Sequence, residues 1–338
     1  VYSTLNIKSK LLNYDVKFIN SFDEINYYTN QNNTITIIDK NVSLLYNFLN
    51  KPDNIIIESN EEVKTFTGIN YLLDEFTKRK VNIKTKLIVI GGGVLQDLVG
   101  FCASIYCRGI EYILVPTTLL AQTDSCVGGK TSINFNNKKN ILGTFYPPKE
   151  ILICSKFLET LSKIDYFSGL GEIFKFHILN GNISNFNYNS NIKDMIYSSL
   201  KYKIDILLID EFDKNERKFL NYGHTFGHAL ESISEYKIPH GIAVILGSLI
   251  ATKIAFELNY NVKDYELILK NGFLLLKEST IQLKEEWFDL NKLIELIKSD
   301  KKSVGKLTMV LVDSKPFLVD IENTKIIKNI LKKTYESI

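Results

Sequence analysis

Four histidines occur in the 338 residues, and three of them, His224, His228 and His240, fall in one short stretch running from Asn221-Tyr-Gly-His through Pro239-His-Gly. Imidazole is a common metal ligand and the side chain best suited to move protons near neutral pH, so a scarce residue crowded in this way marks a seat of chemistry. His224 and His228 stand four residues apart and share one face of a helix, with Glu231 a further turn along. That spacing allows two metal ligands, or one ligand and one acid/base. His240 opens the next apolar helix, where its ring could turn back to the same site. A catalytic zinc normally takes three protein ligands and keeps one position open. The missing ligand is then expected to be an acid upstream. Glu172, in Gly169-Leu-Gly-Glu-Ile-Phe-Lys, is the best candidate because Lys175 lies on the same helix face three residues on. His177 has no comparable context and reads as structural.

A second kind of chemistry is written in glycines and cations. The run Leu87-Ile-Val-Ile passes straight into Gly91-Gly92-Gly93 and then a helix. Glycines at a strand-to-helix turn let backbone N–H groups approach a pyrophosphate, and the helix N-terminus favours its charge. Asp97, one turn into that helix, would serve a phosphate poorly but could hold a hydroxyl or amide, or simply answer the helix dipole. Further on, Gly128-Gly129-Lys130, Lys139-Asn140 and Arg108-Gly109 set several cations around glycine turns, which suggests an anionic substrate.

The elements that must position these groups divide the chain in two. Short β-branched runs at residues 34–38, 54–58, 86–90, 112–115 and 151–154 alternate with helical patterns, including one over 61–79, and predict a parallel sheet with crossover helices. From about residue 157 a 3.6-residue period dominates, over 192–208, 223–234, 241–258 and several segments after 263. The exception is 307–321, where Ser314-Lys315-Pro316 separates two apolar runs and predicts a hairpin. The boundary is expected near residue 155, giving domains over 1–155 and 156–338.

Bulk properties narrow the class. Hydrophobic content of 45% and charged content of 23% are those of an ordinary globular chain. The net charge of +3 is spread without a dense basic block, so nucleic acid is not an expected partner. Cys102, Cys107, Cys126 and Cys154 lack zinc-ribbon spacing and make a poor disulfide framework, which points to a reducing cytoplasm. The first ten residues hold no apolar signal core, and no later run approaches the roughly 20 uninterrupted apolar residues of a membrane span. These features predict a soluble chain with no membrane partner that keeps its own N-terminus.

Taken in order, the motifs resemble the 3-dehydroquinate synthase family of sugar-phosphate cyclases, from about Asp39 to Lys302. The resemblance rests on Gly91 through Phe101, Arg108-Gly109, Pro116 through Thr131, Lys139-Asn140, Glu172 with Lys175, Arg217 through Glu231, His240-Gly241 and Asp300-Lys301-Lys302. It implies a Rossmann-like α/β N-terminal domain, a mostly α-helical C-terminal domain, and an active site in the cleft between them. It implies zinc, with cobalt as an alternative ion, held by Glu172, His224 and His240. NAD is implied at Asp39, Asn41, Glu61, Lys64, Gly92, Gly93, Asp97, Thr117, Thr118, Lys139 and Thr160. A pocket for a phosphorylated sugar acid is implied at Asp124, Lys130, Asn140, Lys175, Lys203, Arg217, Asn221, His228 and the Lys301-Lys302 pair, with Arg108 reaching a neighbouring subunit of a homodimer.

The implied reaction turns 3-deoxy-D-arabino-heptulosonate 7-phosphate into 3-dehydroquinate and phosphate. Zinc would polarise the C5 hydroxyl, NAD would take hydride and later return it, and phosphate loss, ring opening and an aldol step would follow. His228, beside the cations, would move a proton. Three places depart from the family pattern: Ile242 where a Glu is common, Asp213 where a Glu usually precedes the Arg217 block, and the Asn134 to Lys138 stretch. The alternatives are another cyclase using sedoheptulose 7-phosphate or an amino analogue, a metal-dependent polyol dehydrogenase, and a scaffold without catalysis. The retained cations Lys130, Lys203 and Arg217, with Asn221, favour a carboxylated phosphate substrate.

Overall fold

The β-branched runs at 34–38, 86–90, 112–115 and 151–154 become strands because each presents apolar residues to both faces, as a strand covered on two sides must, while that at 54–58 forms an edge strand with Ile56 exposed. In the computed structural model, which describes residues 2, 4–136, 138–299, 307–321 and 324–338, two compact units are found, Val1–Leu161 and Ser162–Ile338.

The first unit is built on β1 (Leu5–Ile7), β2 (Tyr14–Phe18), β3 (Thr34–Asp39), β4 (Ile55–Ile57), β5 (Lys86–Gly91), β6 (Tyr112–Pro116) and β9 (Glu150–Ile153), with a separate hairpin of β7 (Lys130–Phe135) and β8 (Lys138–Phe145). The seven strands lie in the order β1-β2-β9-β6-β5-β3-β4, parallel except for β1 against β2. Helices α1 (Phe22–Thr29), α2 (Lys40–Leu45), α3 (Phe66–Lys78) and α4 (Gly93–Ile105) connect them. Ile38, Ile88, Ile90, Val115 and Leu152 pack with Ile25 of α1 and Val42 of α2 in one buried cluster. Burying each of these side chains contributes about 1.5–3 kcal/mol. From β3 the chain steps outward to β4, then returns to β5 and proceeds the other way to β6 and β9. The strand order therefore reverses between β3 and β5, and ligands of parallel sheets bind outside the carboxyl ends at such a switch point.

Two parts of this unit differ from the sequence expectation. The helix expected over 61–79 begins at Phe66, and residues 61–65 form turns instead. Asn134 holds that segment: its N–H donates to the Lys64 carbonyl at 2.7 Å, and its amide donates to Glu61 Oε2 at 2.8 Å. The second difference is that Lys130 and Lys139 lie on the β7–β8 hairpin rather than in open glycine loops.

The second unit consists of α5 (Lys163–Leu179), α6 (Ile192–Ile209), α7 (His224–Ile233), α8 (His240–Glu257), α9 (Tyr265–Ser279), α10 (Leu290–Ser299) and α11 (Thr324–Glu336), with the expected hairpin as β10 (Leu307–Val312) and β11 (Pro316–Ile321). Ser162 and Asn191 cap α5 and α6 by accepting backbone N–H bonds from Asp165 and Lys193. Helix α8 is apolar around its whole circumference and packs against α5, α7, α9 and α11. By length and composition it could cross a membrane, but here it is mostly buried as the unit's core.

Candidate metal centre and dinucleotide turn

Three helices meet at glycines, and each glycine neighbours a chemically active residue. A β-carbon at Gly171 would lie 2.1 Å from the Gly241 carbonyl oxygen, and one at Gly241 would lie 1.7 Å from that of Ser168. Helices α5 and α8 thus touch backbone to backbone, next to Glu172 and His240. Gly223 has φ +77, a left-handed conformation that glycine adopts at little cost, and it starts α7 immediately before His224.

Those contacts bring Glu172, His224 and His240 to one point, with ligand atoms from all three within 4.8 Å of one another. Glu172 Oε1 is 3.2 Å from His240 Nε2 and 3.6 Å from His224 Nε2, while Oε2 pairs with the Lys175 ammonium. The ring tautomers follow from their outer contacts. His224 Nδ1 lies 3.0 Å from the Tyr222 carbonyl, which can only accept, so Nδ1 carries the proton and Nε2 faces Glu172. His240 Nδ1 lies 3.1 Å from Glu231 Oε2. His228, exposed on α7, sets its ring edge-on to that of His224 at 5.1 Å and tilted to that of His240 at 5.8 Å between centroids.

Charge in this cluster is strongly biased. Burial raises the Glu172 carboxyl, but Lys175 and His240 outweigh it and hold its pKa down at about 2. Burial opposes a charge on His240, yet Glu172 and Glu231 on either side lift it to about 10. His224 is pushed well below its usual value by burial first, then by Lys175, His228 and His240. Both carboxylate oxygens of Glu172 are buried: Oε2 is met by the Lys175 ammonium, and Oε1 faces only the two imidazole rings. A buried carboxylate oxygen, Oε1, facing two imidazole Nε2 atoms, makes with them a donor set that a divalent cation would complete.

In the first unit the switch point is occupied by Asp39 and the glycine turn. A β-carbon at Gly91 would lie 3.3 Å from that of Asp39, and one at Gly92 would meet Thr118 at 3.2 Å. Asp39 caps α2, accepting N–H bonds from Asn41 and Val42. Thr117 is buried, and its N–H bonds the Gly91 carbonyl at 3.2 Å. Thr160 is exposed and bonds Tyr46 at 2.9 Å. Lys64, buried, donates to Asp97 at 2.5 Å and to Asn140 at 2.6 Å, and Ser132 donates to the same two side chains. The sequence assigned Lys64 and Asp97 to the cofactor and Asn140 to the substrate, and all three lie in one network. Lys139 pairs with Glu61 at 3.7 Å. Asp124 sits on a wide helical turn over Ala121–Ser125, and Gly93 lies against it at Ser125.

The remaining candidates are distributed. Lys130 and Arg108 are exposed. Arg108 and Cys107 both have left-handed backbones, at φ 64 and 51. Lys203 on α6 and Arg217 are buried, and Asn221 closes the turn Glu216–Asn221 that carries Arg217. Lys301 and Lys302 lie outside the described residues. His177 bonds the Asn182 carbonyl through Nδ1 and packs on Phe186, consistent with a structural role.

Sequence reasoning missed Asp210. Its buried carboxylate accepts the backbone N–H groups of Lys214, Asn215 and Arg217 at 3.0, 2.6 and 3.1 Å, shaping the loop that carries Asp213 and Arg217. Its position just after a long helix, before a charged non-periodic stretch, was the available signal.

The first unit's switch-point sheet and the second unit's helices are the fold of the sugar-phosphate cyclases. A solved 2-deoxy-scyllo-inosose synthase, complexed with carbaglucose-6-phosphate, NAD+ and Co2+, is similar over 98% of this chain and 99% of its own, with a TM-score of 0.82 at 23% identity. Residues 54–168 match the family model for the 3-dehydroquinate synthase N-terminal region, and residues 169–303 that for the C-terminal region. The chain therefore belongs to the 3-dehydroquinate synthase family. The 3-dehydroquinate synthase of Helicobacter pylori (strain G27) is 38% identical, over 74% of this chain and 74% of its own. That of Pyrococcus furiosus is 37% identical, over 81% and 85%.

Proposed function

We propose that the protein converts 3-deoxy-D-arabino-heptulosonate 7-phosphate into 3-dehydroquinate and phosphate, as a lyase that needs NAD and a divalent metal, zinc in the first instance. The observation that carries the chemistry is the convergence of His224 Nε2 and His240 Nε2 on the buried Glu172 Oε1. The names of relatives at 37–38% identity over most of the chain support this substrate over those of other cyclases, whose solved structure stands at 23%.

In this reading Glu172, His224 and His240 hold the metal, and the switch-point turn at Gly92-Gly93 with Asp39 holds the dinucleotide. When bound, the metal supplies Lewis acidity to an alcohol oxygen and NAD supplies a hydride acceptor that is restored within the cycle. Lys175 balances Glu172 from the second oxygen, so the cation meets a carboxylate already ionised. His224 is neutral because burial and its cationic neighbours deny it a proton, which leaves Nε2 as a donor. His228 is the exposed ring of the trio and carries the proton that accompanies phosphate loss. Lys130, Lys203 and Arg217 answer the phosphate and carboxylate, and Asp124 and Asn221 orient hydroxyls. Asp213, shorter than the usual Glu, reaches less far. The four free cysteines fit a cytoplasmic protein. Arg108, exposed, fits a homodimer in which it serves the neighbouring copy.

The test is phosphate release from the heptulosonate phosphate, run in parallel with sedoheptulose 7-phosphate, each with catalytic NAD. Release from the first with no net NADH is the expected result. Release from the sedoheptulose phosphate alone would overturn the substrate, and steady NADH formation from a simple polyol would overturn the reaction class.

A further inference from the structure

The two histidines that face Glu172 are held from behind by acceptors of different kinds. His224 leans on a neutral backbone carbonyl, that of Tyr222, at 3.0 Å. His240 leans on a carboxylate, Glu231 Oε2, at 3.1 Å. Their surroundings also differ, because the His224 side chain is 12% exposed and that of His240 is 33% exposed. His240 is the first residue of α8 and the more exposed of the two rings, so packing does less to fix it.

We infer that Glu231 is the positioning residue of the metal centre, fixing His240 as a ligand by holding its Nδ1–H and adding negative charge behind the ring. The inference rests on the metal reading given above. Glu231 lies on α7 seven residues after His224 and three after His228, so one helix face supplies a ligand, a proton carrier and the support of the second ligand. Its side chain is 13% exposed, shielded enough for its charge to be felt. A carboxylate accepting from Nδ1 sets the tautomer that leaves Nε2 for the metal, stops the ring turning about its terminal bond, and raises the basicity of Nε2. Without it His240 would keep its place on the helix and lose its aim. His224, largely buried and backbone-held, needs no such carboxylate.

The test is zinc affinity, measured on the purified full chain by competition with a chromophoric chelator, for wild type, Glu231→Gln and Glu231→Ala. Urea midpoints are followed alongside, and the visible spectrum is recorded with Co2+ in place of zinc. Loss of the supporting carboxylate is expected to weaken zinc binding about 10- to 100-fold in Glu231→Ala. Glu231→Gln, which can still accept a hydrogen bond but lacks the charge, is expected to fall between it and wild type, with an unchanged urea midpoint and an altered Co2+ spectrum. Wild-type affinity and an unaltered spectrum in both variants, with zinc still lost from His224→Ala, would overturn the role of Glu231 and leave the metal reading intact. Wild-type protein that takes up no zinc would overturn both.

Discussion

The polar network around Lys64 and the cluster around Glu172 are both buried ion pairs joined to further polar groups, yet they are finished differently. In the first, Lys64 and Ser132 each reach both Asp97 and Asn140, and Asn134 ties the adjoining segment down through side chain and backbone. In the second, Lys175 holds one buried oxygen of Glu172, while the other, Oε1, meets only two ring nitrogens that point at it. A buried carboxylate oxygen met by imidazoles alone is costly unless a cation joins it, which is the reading proposed above. On that reading the difference separates a framework, which gives a loop its shape before any ligand arrives, from a receptor that a cation would complete.

The largest expected effect comes from breaking the receptor. His224→Ala removes one of three converging donors and is expected to abolish both turnover and stoichiometric zinc, while NAD binding measured by calorimetry stays near wild type. Zinc retained at one per chain with normal turnover would refute the metal assignment, and a parallel loss of NAD would erase the distinction between the two regions. Breaking the framework should give the converse. Lys64→Met is expected to weaken NAD binding about 10-fold, equivalent to about 1.4 kcal/mol, with zinc content unchanged.

A third effect is read in the pH dependence of thermal stability in chelator-treated protein. The Glu172 carboxyl is lowered from 4.5 to about 2, so its contribution is present above about pH 4.5 and lost as the pH falls to about 2. The His240 imidazole is raised from 6.5 to about 10, so its contribution is complete below pH 6.5 and lost as the pH rises through about 10. Tm is expected to decline over both windows, and His240→Asn should flatten the alkaline one. If His240→Asn leaves the alkaline decline untouched, His240 is not its source. The smallest effect is expected at Asp210→Asn, which weakens three backbone hydrogen bonds in one loop and should cost about 1 kcal/mol in urea unfolding. The accompanying change is a raised KM for the sugar phosphate, with zinc and NAD affinities unaltered.

Much of the receptor was legible in the sequence because its parts are rare and locally spaced: three of four histidines in one block, and a Glu–Lys pair three apart in an apolar helix. Five of the seven strands of the sheet were legible too, as short β-branched runs ending at turns, whereas β1 and β2 are too mixed in sequence to stand out. The framework was less so. Nothing local in Lys130 through Phe145 announces a hairpin, because its strands alternate only weakly and their pairing is interrupted by a register shift between Ile133 and Phe135. The late start of α3 depends on Asn134, some seventy residues away in the chain. Glu231 was visible as a neighbour of the histidines, but the ring it supports belongs to another helix.

The glycine contacts between α5 and α8 carry a consequence for how this centre can change over evolutionary time. Side chains that meet in a core can trade volume by small rotamer adjustments, so their positions drift through many tolerated intermediates. Where a carbonyl oxygen rests at the place a methyl group would occupy, as at Gly171 and Gly241, no graded series exists, because the smallest possible step moves a whole helix. The spacing of the donors is thereby quantised: residues around the centre can be exchanged to suit a new substrate while the interval between Glu172 and His240 stays fixed.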